Sequence, residues 1–249
     1  MNCAISLTAR RDGDVVALSK ATRLYCTIVI ASGVAIMVAA AYGGHSFAMA
    51  RLMIYILIAA NVTTIKMKIP GLTATVSGGS LLIFAGLTDL TSAETVVVAV
   101  VVGLVQCLWK PKQKPSVLQV VFSICTLVIS VMFAWNFGRW LTDWIAPGNT
   151  LALLACSTAL YFGANTMLLA GVLALTEMKP VGKVWNQLYL WTFPHYMLSA
   201  SLGGLFGYVS RGANWRAMFL FLPGACLAFG YARALKLQQS EESIRAALS

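Results

Sequence analysis

Long apolar stretches, repeated along nearly the whole chain, are the feature that most restricts how this sequence can fold. Hydrophobic residues make up 59% of the 249 residues and charged residues only 10%, whereas soluble domains carry about 25% charged residues. A transmembrane helix needs about 20 mostly apolar residues, and most of this chain divides into such segments. The sequence therefore predicts an all-α, polytopic transmembrane bundle and excludes a soluble, disordered or collagen-like protein.

The apolar segments predict about eight membrane spans. Their approximate bounds are residues 24–42, 47–65, 71–87, 94–109, 117–137, 151–176, 188–209 and 215–235. The third is the weakest because it is rich in Thr, Ser and Gly, and the seventh is interrupted by Pro194. The fourth is rich in Val and resembles a strand by propensity. We predict a helix there, because a strand surrounded by lipid lacks hydrogen-bond partners.

The charges between these segments test the division independently. Lys and Arg are concentrated in the cytoplasmic loops of membrane proteins. With both termini in the cytoplasm, fourteen of the eighteen Lys and Arg residues fall on the cytoplasmic side. The net charge of +10 is therefore assigned to membrane topology and not to nucleic-acid binding. The predicted location is the inner membrane of a bacterium.

Three regions follow from this division: a cytoplasmic N-terminal segment (1–23), a transmembrane domain (24–235) and a cytoplasmic signalling or linker helix (236–249). The last region is built from strong helix formers. Its apolar residues at heptad positions are predicted to transmit a signal, and they are Leu237, Ile244 and Leu248. The expected partners are the lipid bilayer, a cytoplasmic output domain or partner protein, and a second copy of the chain in a homodimer.

Residue types that carry catalysis are scarce in this sequence. The acids near the membrane lie at span ends, and the two histidines, His45 and His195, are far apart. No metal-binding or nucleotide-binding motif is present. Residues 77–80 (SGGS) are loosely similar to an intramembrane serine protease, but a Gly-x-Ser-x-Gly elbow is absent. We therefore predict no enzymatic activity, no cofactor and no metal site.

Polar side chains inside apolar spans are better indicators of function, because each costs free energy in lipid and tends to face the bundle interior. The predicted ligand-binding residues are Arg51, Asn61, Gln106, Asn165 and His195. Two alternatives remain open for Arg51. Its side chain extends to the membrane surface, or it points inward, where it binds an anion or pairs with Asp89 or Glu94.

Other candidates also have structural alternatives. Asn165 lies in the middle of a span, where an interhelical hydrogen bond is the more common role. His195 follows Pro194 and is also interpreted as a packed polar side chain. Glu94 follows Thr91 and Ser92 and suits the start of a helix, because an acid there complements the helix dipole.

Residues 66–131 resemble a known group of membrane regions. The resemblance lies in the segments IPGLTATVS (69–77), FAGL (84–87), SAET (92–95) and QCLWK (106–110), followed by Lys114 and Pro115. This combination of segments is similar to the N-terminal, multi-pass (MASE-like) sensory region of bacterial signalling proteins. In those proteins it precedes a diguanylate cyclase, HD-GYP phosphodiesterase or histidine kinase domain. The tail QSEESIRAAL (239–248) is similar to the linker helix that opens their output modules.

The resemblance implies an integral membrane sensor or input module, which passes a signal from a ligand or from the bilayer through its C-terminal helix. A second resemblance competes with it. The short Gly/Ser-rich spans, followed by an acidic helix start, are similar to the substrate-capture subunits of bacterial vitamin transporters. A small-molecule transporter, with several of the predicted ligand residues lining one pocket, is therefore the alternative.

Overall fold

The structure, a computed structural model, describes residues 10–11, 14–15, 19–43, 48–64, 66–68, 75–109, 115–188 and 192–212. Within these ranges the fold is helical. The helices are α1 (Lys20–Tyr42), α2 (Met49–Thr64), α3 (Gly79–Asp89), α4 (Ser92–Leu108), α5 (Val117–Ile145), α6 (Thr150–Glu177), α7 (Val181–Leu188) and α8 (Phe193–Gly212). Two short antiparallel hairpins accompany them, β1 (Arg10–Arg11) with β2 (Asp14–Val15) and β3 (Lys66–Lys68) with β4 (Thr75–Ser77).

Three of the described helices are long and apolar enough to cross a membrane. They are α1, α5 and α6, with 23, 29 and 28 residues. Helices α2, α3 and α4 are apolar but shorter, with 16, 11 and 17 residues. The predicted helical fold is confirmed, and the composition of these helices indicates a membrane protein. The number of eight spans stays a prediction.

The structure differs from the prediction in two segments. The third span was expected over residues 71–87, but α3 begins only at Gly79, and Thr75–Ser77 form a strand that pairs with Lys66–Lys68. The alternation of polar and apolar residues in KMK and TVS suits a two-residue period. In α8, Pro194 lies in the first turn, where its missing N–H costs nothing, so it does not interrupt this helix. The predicted eighth span and the tail 236–249 lie outside the described residues.

Helix α3 occupies the centre of the described bundle. It packs against α2, α4, α5, α6 and α8, and eight of its eleven residues are buried. At 1.5 Å per residue α3 is about 16 Å long, roughly half of the 30 Å hydrocarbon core. By contrast, only 17% of the most apolar part of α1 is buried.

Glycine residues allow α8 to approach α3 closely. A Cβ atom on Gly203 would lie 2.5 Å from the carbonyl oxygen of Leu81, and one on Gly207 would lie 2.8 Å from Oγ1 of Thr88. Small residues at such positions let the backbones of membrane helices come into contact. The packing of α3 against α8 is therefore sensitive to side-chain size at these two positions.

Candidate functional site

Charged side chains from three helices meet at the end of α3, and we call Arg51, Tyr55, Asp89 and Glu94 the charged cluster. Nη2 of Arg51 lies 3.5 Å from Oε2 of Glu94, and its Nη1 lies 4.0 Å from Oδ1 of Asp89. The Tyr55 hydroxyl donates to Oδ2 of Asp89 at 2.9 Å. The Glu94 side chain is fully buried, and that of Asp89 is 6% exposed. The inward alternative for Arg51 is therefore the one that the structure contains.

Glu94 is held by the local sequence as well as by Arg51. The segment Thr91–Ser92–Ala93–Glu94 forms a capping box, in which Thr91 Oγ1 accepts from the Glu94 amide and Glu94 accepts from the Thr91 amide. Its second oxygen accepts from the amide of Ala48 at 3.1 Å. The expected role of Glu94 at a helix start is confirmed, and the same carboxylate also joins α4 to the residue that precedes α2.

The last carbonyl groups of α3 also have donors. The amide of Leu90 donates to the carbonyl of Gly86 at 2.9 Å, and the Thr95 hydroxyl donates to that same carbonyl at 3.1 Å. Nη2 of Arg139, from α5, donates to the Leu87 carbonyl at 3.2 Å. A cation at a helix C-terminus complements the helix dipole. The carbonyls of Gly86 and Leu87 at the end of α3 are therefore hydrogen-bonded.

The start of α3 has a different environment. Gly78 occupies the N-cap position, and no side chain of the described residues caps the helix. A Cβ on Gly79 would lie 2.7 Å from Oγ1 of Thr63 and 2.6 Å from a methyl group of Val102, so only glycine fits there. Thr63 is fully buried, and its Oγ1 has no hydrogen-bond partner in the described structure.

A chain of hydrogen bonds, which we call the polar chain, runs from the first turn of α3 into α8. The Ser80 hydroxyl donates to Oγ of Ser199 at 3.1 Å, and Ser199 Oγ lies 3.3 Å from Nε2 of His195. Ser80 and Ser199 are both buried. Helix α8 therefore carries a hydrogen-bond connection to the start of α3 in addition to its close packing.

The predicted site residue Asn165 lies on α6 and reaches the same helix. Its Nδ2 donates to the hydroxyl of Tyr196 at 3.0 Å, and both side chains are buried. Tyr196 follows His195 directly and packs edge-on against Phe84 and Phe162, with ring centroids 6.4 and 5.2 Å apart. The expected interhelical hydrogen bond of Asn165 is confirmed, and it fixes α6 to α8 beside the polar chain.

The five predicted ligand residues do not form one pocket. Arg51 lies at the end of α3, whereas Gln106 lies at its start, where its Nε2 is 3.4 Å from the Cβ position of Gly79. Asn61 is exposed, and its Nδ2 donates to the Leu57 carbonyl of its own helix at 2.8 Å. Asn165, on α6, bonds to Tyr196 of α8, and His195 lies on α8 itself. The tail residues Leu237, Ile244 and Leu248 lie outside the described residues.

The sequence analysis did not single out Tyr55, Thr63, Ser80 or Ser199 as site residues. A Thr three residues before a Glu, as at Thr91 and Glu94, signals a capping box, but no comparable local signal marks a hydroxyl that contacts a distant helix. In the part of the chain that the structure describes, no group of three or more His, Cys, Asp and Glu side chains is arranged to hold a metal ion.

An apolar groove of about 500 Å³ lies apart from α3, between α1, α5 and α6. Its walls are formed by Tyr25, Ile129, Phe133, Ala159, Leu160, Gly163, Ala164, Met167 and Leu168. The Tyr25 hydroxyl donates to the Leu168 carbonyl at 2.9 Å, which satisfies the one phenol in the lining. The groove suits a hydrocarbon chain by its composition, and it contains none of the predicted ligand residues.

Comparison with known proteins adds no identity to this site. No protein-family model, curated protein or solved structure matches the chain. The functional conclusion therefore depends on the chemistry and connectivity of the residues themselves.

Proposed function

We propose that this chain is an integral membrane input module of a bacterial signalling protein, with about eight spans and both termini in the cytoplasm. The observation that supports this proposal is the polar chain, because it joins the central helix α3 to α8. Helix α8 is the last described helix before the C-terminal segment that is predicted to carry the signal. A change at the start of α3 would therefore reach residues 236–249 through α8 and the predicted eighth span (215–235).

The packing of α3 suits a two-state element. A ligand shifts a conformational equilibrium only when it binds the two states with different affinity. Helix α3 is short and buried, and the charged cluster anchors its end. It packs closely against Gly203 and Gly207 of α8. A ligand or a bilayer change that alters the hydrogen bonds of its first turn would favour one packing of α3 and α8 over another.

A reporter fusion tests the proposal. The chain is joined through residues 236–249 to a diguanylate cyclase domain, and product formation is measured at equal membrane abundance. Ser199→Ala removes the central hydroxyl of the polar chain, and Gly203→Ala introduces a methyl group against the Leu81 carbonyl. We expect both substitutions to change cyclase output severalfold.

Matched controls keep this experiment specific. Gly182→Ala adds a methyl group where nothing lies within 4 Å, and Ser201→Ala removes an exposed hydroxyl that bonds within its own helix. Neither should alter the output. Deletion of residues 236–249 should abolish coupling without affecting insertion. An output that is indifferent to Ser199→Ala, to Gly203→Ala and to the deletion would contradict the input-module proposal.

The alternative is a small-molecule transporter or a substrate-capture subunit of a vitamin-type transporter. It requires Arg51, Asn61, Gln106 and Asn165 to line one pocket. Arg51 and Gln106 lie at opposite ends of α3, and Asn61 is exposed, so these four residues do not line one pocket. Substrate uptake by proteoliposomes that contain the purified chain, abolished by Asn165→Leu, would favour the transporter.

A further inference from the structure

We propose that the start of α3 binds a phosphate-class anion, either the phosphate of an anionic lipid headgroup or a soluble phosphate. This inference deepens the proposed function, because it names the class of ligand that would act on α3, and only its signalling consequence rests on that function. Two features of the described residues carry it, a helix start without a side-chain cap and an unpartnered buried hydroxyl, and the sequence of the adjoining hairpin adds two lysines.

The first feature is the helix start itself. The first N–H groups of an α-helix have no partners within the helix, and the helix dipole places partial positive charge there. Helix α3 has eleven residues, and no described side chain caps it. The amides of Gly79 and Ser80 therefore resemble the backbone donors that hold phosphate and sulfate at helix N-termini.

The second feature is Thr63, the last buried residue of α2. Its side chain is fully buried, and Oγ1 has no hydrogen-bond partner among the described residues. This oxygen lies 2.7 Å from the Cβ position of Gly79, so it points at the first residue of α3. A buried hydroxyl without a partner carries an uncompensated desolvation cost. An oxyanion that accepts from both Thr63 and the helix amides would remove this cost.

The third feature is positive charge beside the same residues. In the β3–β4 hairpin, Lys66 pairs with Ser77, which immediately precedes Gly78, and Lys68 pairs with Thr75. The strand that pairs with the entry to α3 therefore carries two lysines in its sequence. The acids Asp89 and Glu94 lie at the opposite end of α3, about 16 Å away.

Two sources of phosphate are available at the predicted location of these lysines. Lys66 and Lys68 belong to the predicted cytoplasmic side, where anionic lipids give the membrane surface a negative potential. Soluble phosphates also reach this side. In either case the site uses backbone amides and one hydroxyl beside a strand that carries two lysines, and it requires no metal.

The test uses the full chain, purified in detergent or reconstituted in vesicles. Inorganic phosphate is titrated in detergent, and melting temperatures are compared in phosphatidylcholine vesicles with and without phosphatidylglycerol. Stabilisation by inorganic phosphate indicates the soluble source, and stabilisation by phosphatidylglycerol alone indicates the headgroup. Both results support the site if Thr63→Val weakens the effect about tenfold, as expected for a lost charge-assisted hydrogen bond.

The variants also separate a ligand role from a structural one. Thr63→Val has nearly the same shape, so without ligand it should raise the melting temperature while it weakens phosphate binding. The combined Lys66→Gln and Lys68→Gln variant should weaken binding and reduce its salt dependence. Two controls should leave binding unchanged. They are Thr64→Val, whose hydroxyl bonds to the Asn61 carbonyl, and Lys183→Gln on α7.

Two results would overturn the site: the absence of any response of the wild-type chain to phosphate and phosphatidylglycerol, or an unchanged response in Thr63→Val. The binding measurement requires no output domain. A failure of binding therefore overturns this inference alone, whereas an unresponsive reporter fusion overturns the proposed function alone.

Discussion

The two ends of α3 differ in how their polar groups are satisfied. At its end, the carbonyls of Gly86 and Leu87 accept from three donors, and the Glu94 carboxylate beside them is held by a capping box and Arg51. At its start, no described side chain caps the helix, and the neighbouring Thr63 hydroxyl is unpartnered. The contrast suggests that one end is a fixed anchor and the other is the end that responds to a ligand.

The largest expected effect comes from removing the anchor. Glu94→Ala deletes the acceptor of the Ala48 and Thr91 amides and leaves Arg51 with the more distant Asp89 as its acidic partner among the described residues. We expect a loss of about 3–5 kcal/mol in the free energy of unfolding, as for other broken buried ion pairs. Denaturant unfolding in detergent measures it. Glu94→Gln is the matched variant and should cost less, because its amide oxygen can still accept hydrogen bonds.

A double-mutant cycle between Arg51 and Glu94 isolates their pairwise interaction. The Arg51 side chain is 32% exposed and Glu94 is fully buried, so solvent screens the pair only in part. We expect a coupling free energy of about 1–2 kcal/mol from the unfolding of Arg51→Met, Glu94→Gln and the double variant. A coupling near zero would mean that the anchor consists of the capping box alone.

One substitution, made at both ends, compares them directly. Thr95 and Thr63 are both fully buried, but the Thr95 hydroxyl donates to carbonyl oxygens and the Thr63 hydroxyl has no partner among the described residues. Thr95→Val should lower the free energy of unfolding by about 1 kcal/mol, and Thr63→Val should raise it by a similar amount. If both substitutions changed the free energy of unfolding in the same direction, in detergent without ligand, the proposed distinction between the two ends of α3 would be wrong.

The smallest effect is expected on the exposed face of α2. Asn61 bonds only to the Leu57 carbonyl among the contacts described for its side chain. Asn61→Ala should change the free energy of unfolding by less than about 0.5 kcal/mol and leave phosphate binding unchanged. A large loss of binding in this variant would move the site from the start of α3 to the surface of α2.

The end of α3 was more predictable from sequence than its start. The Thr91–Glu94 spacing is a local signal, and the cost of burying Arg51 made pairing with Asp89 or Glu94 one of the two alternatives predicted for it. The Val-rich fourth segment was correctly predicted as a helix, because the requirement for backbone hydrogen bonds in lipid overrides strand propensity. These predictions depend on contacts within a few residues or on a large energetic cost.

The environment of the start of α3 depends on helix rotation and on contacts between distant residues, which cannot be read from the sequence. Thr63 and Thr64 are adjacent and chemically identical, and only the rotation of α2 makes the first buried and unpartnered while the second bonds to its own helix. Ser80 and Ser199 are 119 residues apart, so their hydrogen bond follows from the packing of α3 against α8. The predicted start of the third span, residue 71, was wrong for a similar reason. Residues 75–77 pair with the distant strand β3, and the helix begins only after them.

The length of α3 also has a consequence for how the protein enters the membrane. Eleven residues are too few for recognition as an independent span, which takes about 20 apolar residues. Helix α4 follows after only Leu90 and Thr91, so the two helices would be inserted together as a hairpin. Arg51 is synthesised earlier, on α2, and is therefore in place to pair with Glu94 when that acid leaves the water. We therefore expect the insertion of this bundle into a membrane to depend on the order of its helices along the chain.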